Sequence, residues 1–107
     1  MVGSEEVVEG QRRVLAILDE VEAEHGAVII REWDRPNLGV GRYPGETLHK
    51  LKIGINRRFT TVTFTESEIT DCVSSGRDGR ELGAQIKERL REAAGRLLGG
   101  TAERIGF

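Results

Sequence analysis

The stretch TLHKLKIGINRRFTTVTFT, Thr47 to Thr65, limits the fold more than any other part of the chain. Leu51, Ile53 and Ile55 alternate with Lys50, Lys52 and Gly54, and further on Val62 and Phe64 alternate with Thr61 and Thr63. A period of two is that of a half-buried strand. Turning the chain at Asn56-Arg57 pairs Ile55 with Arg58, Ile53 with Thr60, Leu51 with Val62 and His49 with Phe64. That register puts every large aliphatic on one face, whereas a three-residue loop would scatter them. Asn suits a left-handed turn position, and Arg57 suits it less well than Gly would. The opposite face, with Lys50, Lys52, Thr61, Thr63 and Phe59 across from Gly54, is expected to be wet.

The flanking segments read as helices. Ser4 is a candidate cap, with Glu5 and Glu6 in the first turn, and Val7, Val14, Leu15, Leu18 and Val21 recur at helical spacing, broadened by Val8 and Ile17. His25 and Gly26 close a helix over about residues 4–25. Gly10 interrupts it at a cost of about 1 kcal/mol relative to Ala. Near the other end, Leu82, Ile86, Leu90, Ala93 and Leu97 mark a second long helix over 79–98. Asp78 would cap it and Gly99-Gly100 would stop it. Thr65 and Glu68 match a capping box for a short helix between.

AVIIREWD, residues 27–34, reads as a strand, and the following segment, with Pro36, Pro44, Gly39, Gly41 and Gly45, as a long loop over 35–48. The expected fold is α+β in one domain over residues 1–107. A three-stranded antiparallel meander is flanked by two long helices (αβββα), both on the aliphatic face of the sheet. The loop 35–48 and the tail 99–107 are the segments expected to be loose, although Ile105 and Phe107 could dock on the core.

Charge is unevenly spread. The chain has 107 residues and a net charge of -2, which argues against a general nucleic-acid binder. Residues 1–30 carry seven acidic and two basic side chains, residues 31–58 three and seven, and residues 59–107 eight and seven, so the middle is basic between acidic flanks. Cys72 is the single cysteine, so no internal disulfide can form. No apolar run approaches the ~20 residues of a membrane span, and the N-terminus lacks the pattern of a secretory signal. A cytoplasmic protein without metal, cofactor or membrane attachment is expected.

The αβββα order resembles that of double-stranded-RNA-binding domains and of the small HicA-type toxins, which cleave mRNA. GETLHKLKI is similar to the segment with which those toxins lead into their second strand, with TTVTFT as the strand after it. The resemblance implies RNA as partner and His49 as an acid/base residue, a role that suits imidazole near neutral pH. The register itself places His49 on the inner face opposite Phe64, where a partly buried, hydrogen-bonded histidine is sufficient explanation. GVGRYPG lacks the helix that a phosphate loop opens onto, and Ser74-Ser75 lack a paired base.

Two readings follow. In the first, the chain is a non-enzymatic interaction or regulatory protein. It binds a protein partner through the exposed sheet face and the 35–48 loop, using Trp33, Arg35, Arg42, Tyr43, Lys50, Lys52, Arg57, Arg58 and Phe59. Such mixtures of Arg, Trp and Tyr anchor protein interfaces. The apolar breadth of the first helix, with Val7, Val8 and Ile17, also suggests a homodimer. The alternative is an RNA-binding or HicA-like RNA-cleaving protein that uses His49.

Overall fold

The computed structural model describes residues 4–41, 44–74 and 76–105, the side chains at position 4 and beyond position 99 excepted. The fold is α+β, with three helices and an antiparallel sheet. Helix α1 spans Ser4–His25, strand β1 Ile30–Trp33, β2 Asn37–Leu38, β3 Thr47–Ile55 and β4 Arg58–Thr65. Helices α2 (Glu66–Asp71) and α3 (Arg77–Ile105) follow.

The hairpin of β3 and β4 has the register that its alternation requires: Ile55 faces Arg58, Ile53 faces Thr60, Leu51 faces Val62 and His49 faces Phe64. Leu51, Ile53, Ile55, Val62 and Phe64 are buried. Asn56 and Arg57 both take positive φ, 53° and 68°, the two left-handed positions of a type I′ turn. Arginine bears a steric cost there that glycine does not. Arg57→Gly is therefore expected to stabilise the protein by about 1 kcal/mol, read as a higher urea midpoint with unchanged m-value.

The first strand differs from expectation. The segment expected to be extended over 27–34 is shorter, and part of the 35–48 loop joins the sheet as β2, against Thr47 and Leu48. Trp33 lies opposite Leu51, and Asn37 opposite Leu48. Between these pairs β1 and β2 spend three residues, Asp34 to Pro36, where β3 spends two, His49 and Lys50. The extra residue is a bulge. The Asp34 N–H still reaches the Lys50 carbonyl at 2.9 Å, but Pro36 has no N–H to give, so the ladder breaks there. The Gly39 N–H to the Glu46 carbonyl closes the β2–β3 connection.

Helix α1 has the bounds expected of it, and the Gly26 N–H returns to the Glu22 carbonyl at 2.9 Å. Thr65 and Glu68 form the full capping box of α2, with side chain and backbone bonded reciprocally. Helix α3 departs at both ends. It begins at Arg77, which places Asp78 in its first turn rather than at its cap, and it runs through Gly99-Gly100 to Ile105. Glycine in a helix costs about 1 kcal/mol but ends it only where the backbone turns left-handed. Here Ala102 and Glu103 are helix formers that carry the helix on. Phe107 lies outside the described residues, as does the side chain of Ile105, so their docking does too.

One hydrophobic cluster joins Val14, Ile17, Leu18 and Val21 of α1 with Ile86, Leu90, Ala93, Ala94 and Leu97 of α3, Ile69 of α2 and the buried strand residues. Ion pairs tie its margins together. Arg31 of β1 pairs with Asp19 and Glu22 of α1. Arg89 of α3 donates to Glu68 at 2.9 Å and to the Thr63 carbonyl, and its guanidinium lies 4.6 Å from the Phe64 ring centroid.

Between the long helices, Arg91 and Lys87 of α3 hold Glu24 of α1 at 3.0 and 3.1 Å. The hydrogen bond from Arg91 first, then that from Lys87, lowers the Glu24 carboxyl from its ordinary 4.5 to about 2. A carboxyl depressed in the fold stabilises fully above 4.5, and the contribution is lost as pH falls toward 2. The melting temperatures of the wild type and Glu24→Gln should therefore differ near pH 6 and converge as the pH falls from 4.5 toward 2. Because the groups are exposed, added salt should narrow the gap at pH 6.

Candidate functional site

Strand alternation sorts the sheet into two faces. The outer face carries three rows: Ile30, Gly54 and Phe59; Glu32, Lys52 and Thr61; and Lys50 with Thr63. In the first row Gly54 is buried beneath Phe59, whose ring occupies the space that a Cβ would need. A glycine covered by a cross-strand aromatic keeps the ring flat against the sheet. The Lys52 ammonium sits over that ring, 4.9 Å from its centroid, a cation–π arrangement.

Much apolar surface is open here. Ile30 is 59% and Phe59 52% exposed, and Val28, Leu38 and Val40 on or beside β1 and β2 are more exposed still. Of the exposed large hydrophobics among the described residues, only Val8 and Val73 lie away from this sheet and its edge. A concentration of exposed apolar side chains, rimmed by polar ones, is the usual mark of an interaction surface.

The residues expected to bind a partner divide accordingly. Lys50, Lys52 and Phe59 share the outer face, Arg57 is exposed in the turn at the end of the hairpin, and Arg35 is exposed at the bulge. Arg58 lies opposite Ile55 and is half-buried. Trp33 is on the other side: it packs against the core with its ring centroid 6.1 Å from that of Phe64, and its buried indole Nε1 has no hydrogen-bond partner among the described residues. Arg42 and Tyr43 lie outside the described residues. Ile30, Leu38 and Val40 were not among the expected site residues. For Ile30 a signal exists, because a run of four apolar residues entering a strand must send alternate side chains outward.

His49 sits on the inner face and is 1% exposed. Its Nδ1 is 3.3 Å from the Gln11 amide nitrogen of α1, and its Nε2 is 3.0 Å from Glu66 Oε1, the first residue of α2. With the amide donating to Nδ1, the ring proton stands on Nε2 and donates to the carboxylate. The imidazole thus bridges β3 to two helices and has no nitrogen left over for an external group. Among the described residues, no three His, Cys, Asp or Glu side chains converge as metal ligands would. No helix among them is long and apolar enough to cross a membrane.

Comparison of the chain with protein-family models, with curated proteins and with solved structures returned no match.

Proposed function

We propose that this protein is a non-enzymatic interaction module whose outer sheet face binds a protein partner. The long helices cover the inner face and leave the other open, and the broken 35–48 segment extends the binding edge. The observation that carries the reading is the row Ile30–Gly54–Phe59, in which the Ile30 and Phe59 side chains stand exposed, with Lys52 in the next row of the same face and Lys50 in the row after it. A complementary partner offers an apolar cleft for Phe59 and carboxylates for the lysines.

Affinity capture tests this. A protein retained from the native lysate by wild type and lost with Phe59→Asp supports docking at this face. A binder retained equally by both contradicts it. A second copy of the chain is one candidate occupant, and light scattering at micromolar concentration distinguishes a dimer from a monomer. On α1, Ile17 is in the core, Val7 is half-buried and Val8 is exposed, so that helix offers a second copy little apolar surface.

One observation favours RNA as a second reading. An exposed aromatic ring with the Lys52 ammonium against it, and Lys50 further along the same face of an open antiparallel sheet, can stack a base and meet its phosphate. Retention on RNA that falls with salt, and falls again when Lys50, Lys52 and Arg58 become Ala, would favour it. Cleavage through His49 has less support, because the ring is enclosed and both nitrogens face Gln11 and Glu66.

A further inference from the structure

A cleft of about 540 Å³ opens between α1 and the start of α3, away from the rows of the outer sheet face. Arg12 and Arg13 of α1 and Arg80 of α3 line it, with Glu9, Cys72 and Ser74. All three arginines are exposed at its walls. None of their guanidinium groups has an ion pair or hydrogen bond among the described residues, even though Glu9 lies three and four positions before Arg12 and Arg13 on the same helix.

The contrast with the rest of the helical layer is informative. Further along the same two helices, Lys87 is held by Glu20 and Glu24, and Arg91 by Glu24 and Glu88. Arg89 meets Glu68, and Arg31 meets Asp19 and Glu22. In an acidic chain with eighteen carboxylates, cations that reach between elements are matched with anions. The three around this cleft are not. Packing like charges around one concavity is unfavourable unless an anion shares them.

We infer that this cleft binds a small phosphate-bearing molecule, such as a phosphate monoester or a diphosphate. Three arginines and one glutamate give its lining a charge of +2, opposite to the charge of ~−1.5 to −2 on a phosphate monoester near neutral pH. Guanidinium groups suit phosphate because their paired N–H donors match two of its oxygens at once. The volume lies within the ~300–1,000 Å³ of small-molecule sites. Burial raises the Cys72 thiol above its ordinary value, so the floor adds no thiolate near neutral pH. The Ser74 hydroxyl is a further donor at the wall.

The test is an NMR titration of the intact protein with inorganic phosphate and with pyrophosphate, at low salt and neutral pH. Saturable shifts are expected at the amides of Arg12, Arg13, Val73, Ser74 and Arg80, with pyrophosphate binding more tightly. The double variant Arg13→Gln/Arg80→Gln should bind at least ~10-fold more weakly, a loss of about 1.4 kcal/mol. Arg96→Gln, an exposed arginine outside the lining, should bind as wild type does. The absence of saturable shifts with 10 mM pyrophosphate would overturn the inference, independently of how any variant folds. So would shifts spread evenly over the basic surface, or a folded double variant that binds undiminished. Because the cleft and the outer sheet face share no residue, capture by Phe59→Asp is a separate result.

Discussion

Gly10→Ala is expected to lower the stability of the protein by about 2 kcal/mol, although alanine is the better helix former by about 1 kcal/mol. From the sequence alone the sign is the reverse, since a glycine in the middle of α1 looks like a defect. The structure supplies the reason for it. Helix α2 crosses α1 at Gly10, and a Cβ at that position would overlap the backbone carbonyl and side chain of Ile69. A carbonyl cannot rotate away as the end of a flexible side chain can, so α2 must move off α1.

Ile69 is fully buried in the core, and Glu66, which begins the same short helix, bonds to His49. Displacing α2 therefore disturbs core packing and the His49 bridge together. Overpacking of this kind costs about 1–3 kcal/mol, and an overlap with a backbone carbonyl belongs at the upper end. That leaves about 2 kcal/mol after the gain of about 1 kcal/mol in helix propensity. Urea denaturation followed by circular dichroism gives the result. A lower midpoint for Gly10→Ala supports the close approach of α1 and α2, and a higher midpoint shows that Gly10 is only a weak point in the helix.

Phe64→Ala is expected to have the largest effect of any single truncation in the sheet. Phe64 leads the fully buried side chains by volume, lies across from His49, packs against the Trp33 ring at a tilt of 58°, and is covered by the Arg89 guanidinium. Removing a buried phenylalanine ring costs about 3–5 kcal/mol, because the cavity collapses only in part. For a domain of this size that corresponds to a fall in melting temperature of roughly 15 °C or more. The same substitution at Phe59, on the outer face of the same strand, removes a ring that is half in water. Its effect should stay below about 1.5 kcal/mol. Scanning calorimetry of the two variants side by side measures the difference between the faces. Equal losses would mean that the strand does not present Phe64 inward and Phe59 outward.

What could be read from the chain was local. The β3–β4 register was legible because a period of two and a two-residue turn allow one pairing that keeps Leu51, Ile53, Val62 and Phe64 together. The ends of α1 and the Thr65–Glu68 box were legible because capping chemistry spans only a few residues. The remainder depends on residues that meet across long separations. Nothing near Gly10 announces Ile69, nothing near His49 announces Gln11 or Glu66, and Arg12 and Arg13 carry no sign that Arg80 will join them.

Strand β2 was hidden for a different reason. Two residues beside a proline bulge have no period, and they pair only because β3 is already present as a template. Glycine misled twice: Gly99-Gly100 do not end α3, and Gly10 is in α1 for packing rather than despite it. At the candidate site, the hairpin pattern placed Lys50, Lys52 and Phe59 on one face. Trp33 joined the core instead, because residue 33 lies opposite Leu51 and so shares the inward side.

Docking at the outer sheet face is tested most directly by photo-crosslinking from within it. A benzophenone side chain replaces Phe59, or in a control replaces Arg96 on the exposed side of α3, and the protein is irradiated in lysate from its native source. Docking at the sheet predicts a discrete crosslinked protein adduct from position 59 and none from position 96. Adducts from 96 alone, or from neither position, would contradict it.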